Sequence, residues 1–140
     1  MFLALSAVIL WLTLKPKPSP VLPPEIVACR ALEKLQARPE DGNVLSEVSR
    51  ILRRYVIAAF ELPAAELTTA EFCGALAANE KIGAELAQAI SAFLRECDER
   101  KFSLSPAGAP LTAATRALEL IAGAEKQRAK ISIQTNLGNQ

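Results

Sequence analysis

Arg50, Arg53 and Arg54 form the densest set of like charges in the chain. On a helix Arg50 and Arg54 lie one turn apart on the same face, with Arg53 flanking them. A planar guanidinium can hold a carboxylate or a phosphate through two parallel hydrogen bonds, so the trio is suited to gripping an acidic partner or a phosphate group. The same residues also read as the solvated face of an amphipathic helix, with Glu47 balancing Arg50 and Arg54. Surface pairs of that kind contribute little to stability. Asp98, Glu99, Arg100 and Lys101 make a second, mixed cluster that reads as a solvated helix end.

Other residue types point away from catalysis. The sequence has no histidine, which removes the commonest general base and the commonest metal ligand, and with them a Ser-His-Asp arrangement. Ser-Lys or paired-carboxylate chemistry has no spacing to support it. Gly74, Gly83, Gly108 and Gly123 are isolated, so no loop is built to cradle a phosphate. Cys29, Cys73 and Cys97 form no CxxC pair, and an odd, scattered set is a poor disulfide framework. Each falls on an apolar helical stripe, where cysteine acts as a small hydrophobe. The expectation is therefore a chain with no catalytic, cofactor-binding or metal-binding residues, and with Arg50, Arg53 and Arg54 as its candidate docking residues.

The elements that must position those arginines read as helices throughout. Pro23-Pro24 opens a first helix, with Ile26, Cys29, Leu32 and Leu35 at helical spacing up to Arg38-Pro39. Asp41-Gly42-Asn43 makes a turn and offers the next cap. The second helix, from about residue 44 to 60, has Leu45, Val48, Ile51, Leu52, Tyr55 and Val56 on one broad face and the arginines on the other. Leu62-Pro63 stops it. Thr68 and Glu71 predict a capping box for a short third helix ending near Asn79, with Leu67 and Phe72 as its hydrophobic staple. A fourth helix over residues 82–98 carries Leu86, Ile90, Phe93, Leu94 and Cys97 on one stripe. Residues 103–110 read as a loop. A fifth helix over 112–130 buries Leu118, Ile121 and Ala122, and residues 131–140 lack periodicity and are expected to be disordered. Nothing alternates with period two for long enough to make a strand, so the fold class is all-α. Leu45, Ile51, Leu52, Tyr55, Phe72, Phe93 and Phe102 are expected to share one core.

The first fourteen residues stand apart from this domain. Met1 to Leu14 carry no charge and run into Lys15-Pro16-Lys17-Pro18-Ser19-Pro20. Such a run, with lysines only behind it, reads as a membrane anchor whose C-terminal side faces the cytoplasm. A cleaved signal peptide would carry basic residues ahead of the run and a small-x-small site after it, and neither is present. As a helix the run reaches about 21 Å at 1.5 Å per residue, against a hydrocarbon core of about 30 Å. Local thinning of the bilayer, or a longer apolar stretch upstream, closes that gap. Residues 15–24 hold five of the nine prolines and form a stiff stalk. The organisation expected is an anchor over 1–14, a stalk over 15–24, a helical domain over 25–130 and a tail over 131–140. The formal net charge of +1 gives no strong overall field to draw nucleic acid or anionic lipid.

Several segments together carry a family resemblance. In order they are the Pro-rich stalk, Ala31-Leu32-Glu33-Lys34-Leu35, and Val48-Ser49-Arg50-Ile51-Leu52-Arg53-Arg54-Tyr55. After these come Leu62-Pro63, Leu67-Thr68-Thr69-Ala70-Glu71-Phe72 and Cys97-Asp98-Glu99-Arg100-Lys101-Phe102. Over roughly residues 2 to 105 the chain resembles a family of small bacterial single-pass membrane proteins of unknown function. It is also similar to the cytoplasmic tails of proteins from aerotolerance-type operons. Those operons also encode a MoxR-type AAA+ ATPase and membrane proteins with von Willebrand factor A domains. The resemblance implies a non-enzymatic interaction or adaptor module at the inner membrane, with a protein partner of one of those two kinds. An arginine-rich helix face also leaves open a membrane-associated DNA- or ligand-binding regulator, against which the near-neutral charge argues.

Overall fold

Pro24 occupies the first turn of the first helix, where its missing N–H would have had no intrahelical partner. This computed structural model describes residues 22–63, 66–102 and 110–140. Five helices follow in order: α1 (Pro24–Gln36), α2 (Gly42–Ala59), α3 (Thr69–Ala78), α4 (Ala84–Lys101) and α5 (Ala113–Gly138). Among the described residues there is no strand, so the all-α reading holds for the domain. The expected anchor over 1–14 and most of the stalk lie outside the described residues. No described helix is long and apolar enough to cross a membrane.

The helix ends follow local chemistry. Asp41 caps α2, its Oδ1 accepting from the Val44 N–H at 2.8 Å. Thr68 caps α3, with Oγ1 accepting from the Glu71 N–H at 3.2 Å. At the end of α2, Glu61 takes a left-handed φ of 54° and the Leu62 N–H returns to the Ile57 carbonyl at 3.0 Å. That is a Schellman-type stop, here built without glycine. Before α4, Asn79 Oδ1 accepts from the Lys81 and Ile82 N–H groups at 2.9 and 3.3 Å. Gly83 then turns the chain at φ 82° and ψ 154°, a conformation open to glycine and strained for other residues.

α1 packs on α2 and α5, α2 also on α4 and α5, α4 on α5, and α3 along α4. Two contacts set the register of α1 against α5. Gln36 Nε2 donates to Thr115 Oγ1 at 3.0 Å, and Arg128 sits 3.7 Å from the Glu25 carboxylate. The two helices are therefore antiparallel, with the start of α1 level with Arg128. The core they enclose includes Leu32, Leu45, Val48, Leu52, Tyr55, Val56, Phe72, Leu76, Ile82, Ile90, Phe93, Leu94 and Ile121, each at most 5% exposed. Burial of this apolar surface supplies the main favourable term of folding.

Several expectations are corrected. Phe102 is 73% exposed and outside the core. It lies five positions beyond Cys97, about 140° round the helix from the α4 stripe, which continues instead towards Lys101. Ile51 packs against the core but is only partly buried. On α5 the buried set is Ala113, Ala114, Ala117, Ile121 and Ala124, while Leu118 is half-buried and Ala122 exposed. Alanines face inward because α5 approaches its neighbours closely, a choice that an apolar count does not reveal. Residues 131–140, expected to be disordered, continue α5 as far as Gly138. Ser132 and Thr135 return their hydroxyls to the carbonyls one turn back, at 3.1 and 3.0 Å. No proline interrupts the run.

Candidate functional site

The three arginines part company in the fold. Arg50 is exposed and pairs with Glu47 at 2.5 Å across one turn of α2. Arg54 is exposed and, among the described residues, makes no hydrogen bond or ion pair with Glu47 or any other side chain. Arg53 is half-buried and turns the other way, towards the start of α3. Its Nη2 donates to the Leu67 carbonyl, and its guanidinium lies 4.9 Å from the centroid of the Phe72 ring. A cation over an aromatic face is attracted by the ring's quadrupole. Arg53 therefore clamps α3 onto α2, and of the three arginines expected to form one docking surface only Arg50 and Arg54 are exposed.

Three of the segments singled out in the sequence meet at this clamp. Arg53, from the segment Val48–Tyr55, holds Leu67 and Phe72 of the segment Leu67–Phe72. Thr69, next to the cap, donates through Oγ1 to Asp98 Oδ2 at 2.6 Å, which ties the start of α3 to the last turn of α4. Cys97 beside it is 1% exposed and fills the core, and burial pushes its thiol up to about 11. Cys73 is also buried, while Cys29 is partly exposed, its thiol raised by burial and by the carboxylates of Glu33, Glu25 and Glu125. All three are free. Raised thiols carry little thiolate near neutral pH, so neither Cys29 nor Cys97 is set up as a nucleophile. The end of this segment does not join the clamp: Lys101 Nζ sits 5.1 Å from the Phe102 ring, and both side chains are exposed.

A polar seam that the sequence did not single out runs between α1, α2 and α5. Tyr55 donates its hydroxyl to Glu125, and Arg128 bonds the same carboxylate at 2.7 Å while facing Glu25 at 3.7 Å. Burial, reinforced by the Glu125 hydrogen bond and charge, raises the Tyr55 phenol far above its ordinary range. The arrangement gives the Tyr55 hydroxyl an acceptor and Arg128 two carboxylates, though Glu25 Oε2 itself accepts no hydrogen bond, and it reads as a lock on helix register. Arg116 braces another seam, pairing with Glu96 while its guanidinium lies 5.2 Å from the Phe93 ring. Only Glu125 and Arg128, three apart on one helix, have a spacing that announces their pairing; the other partners are distant in sequence. Among the described residues no cluster of side chains is suited to hold a metal ion. Compared with protein-family models, with curated proteins and with solved structures, the chain finds no match in any of the three.

Proposed function

We propose that this chain is a non-enzymatic adaptor of the bacterial inner membrane. Residues 1–14 tether it, the stalk spaces it from the bilayer, and the helical domain docks a protein partner on the cytoplasmic side. The resemblance names the partner class as a MoxR-type AAA+ ATPase or a von Willebrand factor A protein. The observation that supports docking is the exposed pair Arg50 and Arg54, one turn apart on α2, left on the surface after Arg53 has been drawn into the fold. Arginine is favoured at interfaces because its fork can hold a carboxylate through two bonds while its plane packs flat. Arg54, with no internal partner among the described residues, is the one better placed to meet an acidic group.

The test is charge reversal. Full-length chain carrying Arg50→Glu together with Arg54→Glu is expected to keep the helical circular dichroism of the parent. It is expected to lose binding to a purified MoxR-type ATPase or von Willebrand factor A protein of the same bacterium. Undiminished binding with the fold intact would return both arginines to an ordinary solvated face.

A further inference from the structure

The last part of α5 has no partner among the described residues. Arg128 is level with the first turn of α1 through its approach to Glu25, and the helix then runs on to Gly138, about 15 Å further at 1.5 Å per residue. Every side chain from Ser132 onward is exposed, including Ile133 at 59% and Leu137 at 68%. At about 100° per residue, Lys126, Lys130, Ile133 and Leu137 fall on one stripe, on the side of α5 turned away from Ala124 and Arg128. Lys126 and Lys130 are exposed, and residues 131–140 carry no charged side chain. The stripe thus passes from two cations at the body of the domain to two apolar residues at its tip.

A short projecting helix is poorly stable in water by itself, and β-branched Ile131, Ile133 and Thr135 make this one weaker still. It therefore calls for a surface to lie on. Position and charge indicate which. α1 begins at the end of the bundle from which α5 projects, so Leu22 and Pro23 lie at the same end as this overhang. Nearby Arg128 is already engaged by Glu25 and Glu125, which leaves Lys126 and Lys130 as the outward-facing cations of the stripe.

We infer that the α5 overhang seats on the anionic surface of the bilayer. Ile133 and Leu137 enter the boundary between headgroups and acyl chains, and Lys126 and Lys130 meet lipid phosphates. An interfacial helix of this kind buries its apolar face about 5–10 Å deep and draws further affinity from anionic lipid. The seat fixes the orientation of the domain, which a proline stalk alone leaves free, and it rests on the reading of residues 1–14 as a tether.

The experiment uses the full chain with Trp11→Phe and Ile133→Trp, reconstituted into vesicles of phosphatidylcholine with or without phosphatidylserine. Brominated acyl chains serve as the quencher. The introduced indole is expected to shift to the blue and to be quenched in the phosphatidylserine vesicles. Adding Lys126→Glu and Lys130→Glu is expected to abolish that quenching while the chain stays vesicle-bound after carbonate washing. A water-exposed, unquenched indole on a chain that resists carbonate would overturn the seat and leave the tether standing. Recovery of the chain in the carbonate supernatant would overturn both. A blue shift without lipid that grows with protein concentration and shows no lipid quenching would overturn the seat by assigning the stripe to a second copy.

Discussion

Removing the Arg53 side chain takes away a charged donor to the Leu67 carbonyl and the cation above the Phe72 ring. Hydrogen bonds from charged groups contribute about 1.5–3 kcal/mol, and a surface arginine usually stays within about 0.5 kcal/mol of neutral. Arg53→Ala is therefore expected to destabilise the domain by about 1–3 kcal/mol, and Arg54→Ala by less than about 0.5 kcal/mol. Denaturant melts of the two variants, fitted with a common slope, check the difference, and equal losses would remove the clamp. The distinction was hidden in the sequence for a physical reason. Arg53 is one position from fully buried Leu52, so it sits at the border of the apolar face, where a long side chain can turn either way. Which way it turns depends on Leu67 and Phe72, brought close only by the turn between α2 and α3.

At the scale of elements, the ends with local signals were legible. Asp41 and Thr68 each mark a helix start by accepting from the amide three residues on, and Pro24 does so by lacking an N–H that would have no intrahelical partner. The start of α5 carried no such signal. Thr112 adopts a left-handed φ of 50° and provides no side-chain cap. The cap comes from Glu40 instead, whose two carboxylate oxygens accept from the Leu111 and Ala113 N–H groups at 2.6 and 2.9 Å. A carboxylate there also complements the positive end of the helix dipole. Glu40→Gln keeps the size but loses the charge and one of the two acceptors. It is expected to cost about 1–3 kcal/mol and to speed amide exchange in the first turn of α5. Unchanged exchange at Ala113 and the residues after it would show that α5 starts without help from Glu40. No inspection of neighbouring residues would have found this cap, because the two partners lie far apart in sequence and meet only in the assembled bundle.

For the whole molecule, the apolar periodicity of α2, α3 and α4 was strong enough to establish a helical domain and most of its core. α5 was read less well, because its inner face is alanine and its far end buries nothing. The register between α1 and α5, held by the Tyr55, Glu125, Arg128 and Glu25 seam, was not legible at all. That register is what places the α5 overhang and the start of α1 at one end of the domain. The docking pair, the stalk and the overhang acquire a common purpose only if that end faces a bilayer.

The tether is therefore the claim on which the account turns, and the topology of the full chain in inner-membrane vesicles tests it most directly. The account predicts that the chain stays in the membrane pellet through carbonate extraction. Protease added to inside-out vesicles is expected to digest the helical domain, while the same protease leaves it intact in right-side-out vesicles. Release into the carbonate supernatant, or digestion of the domain from the periplasmic face, would contradict it.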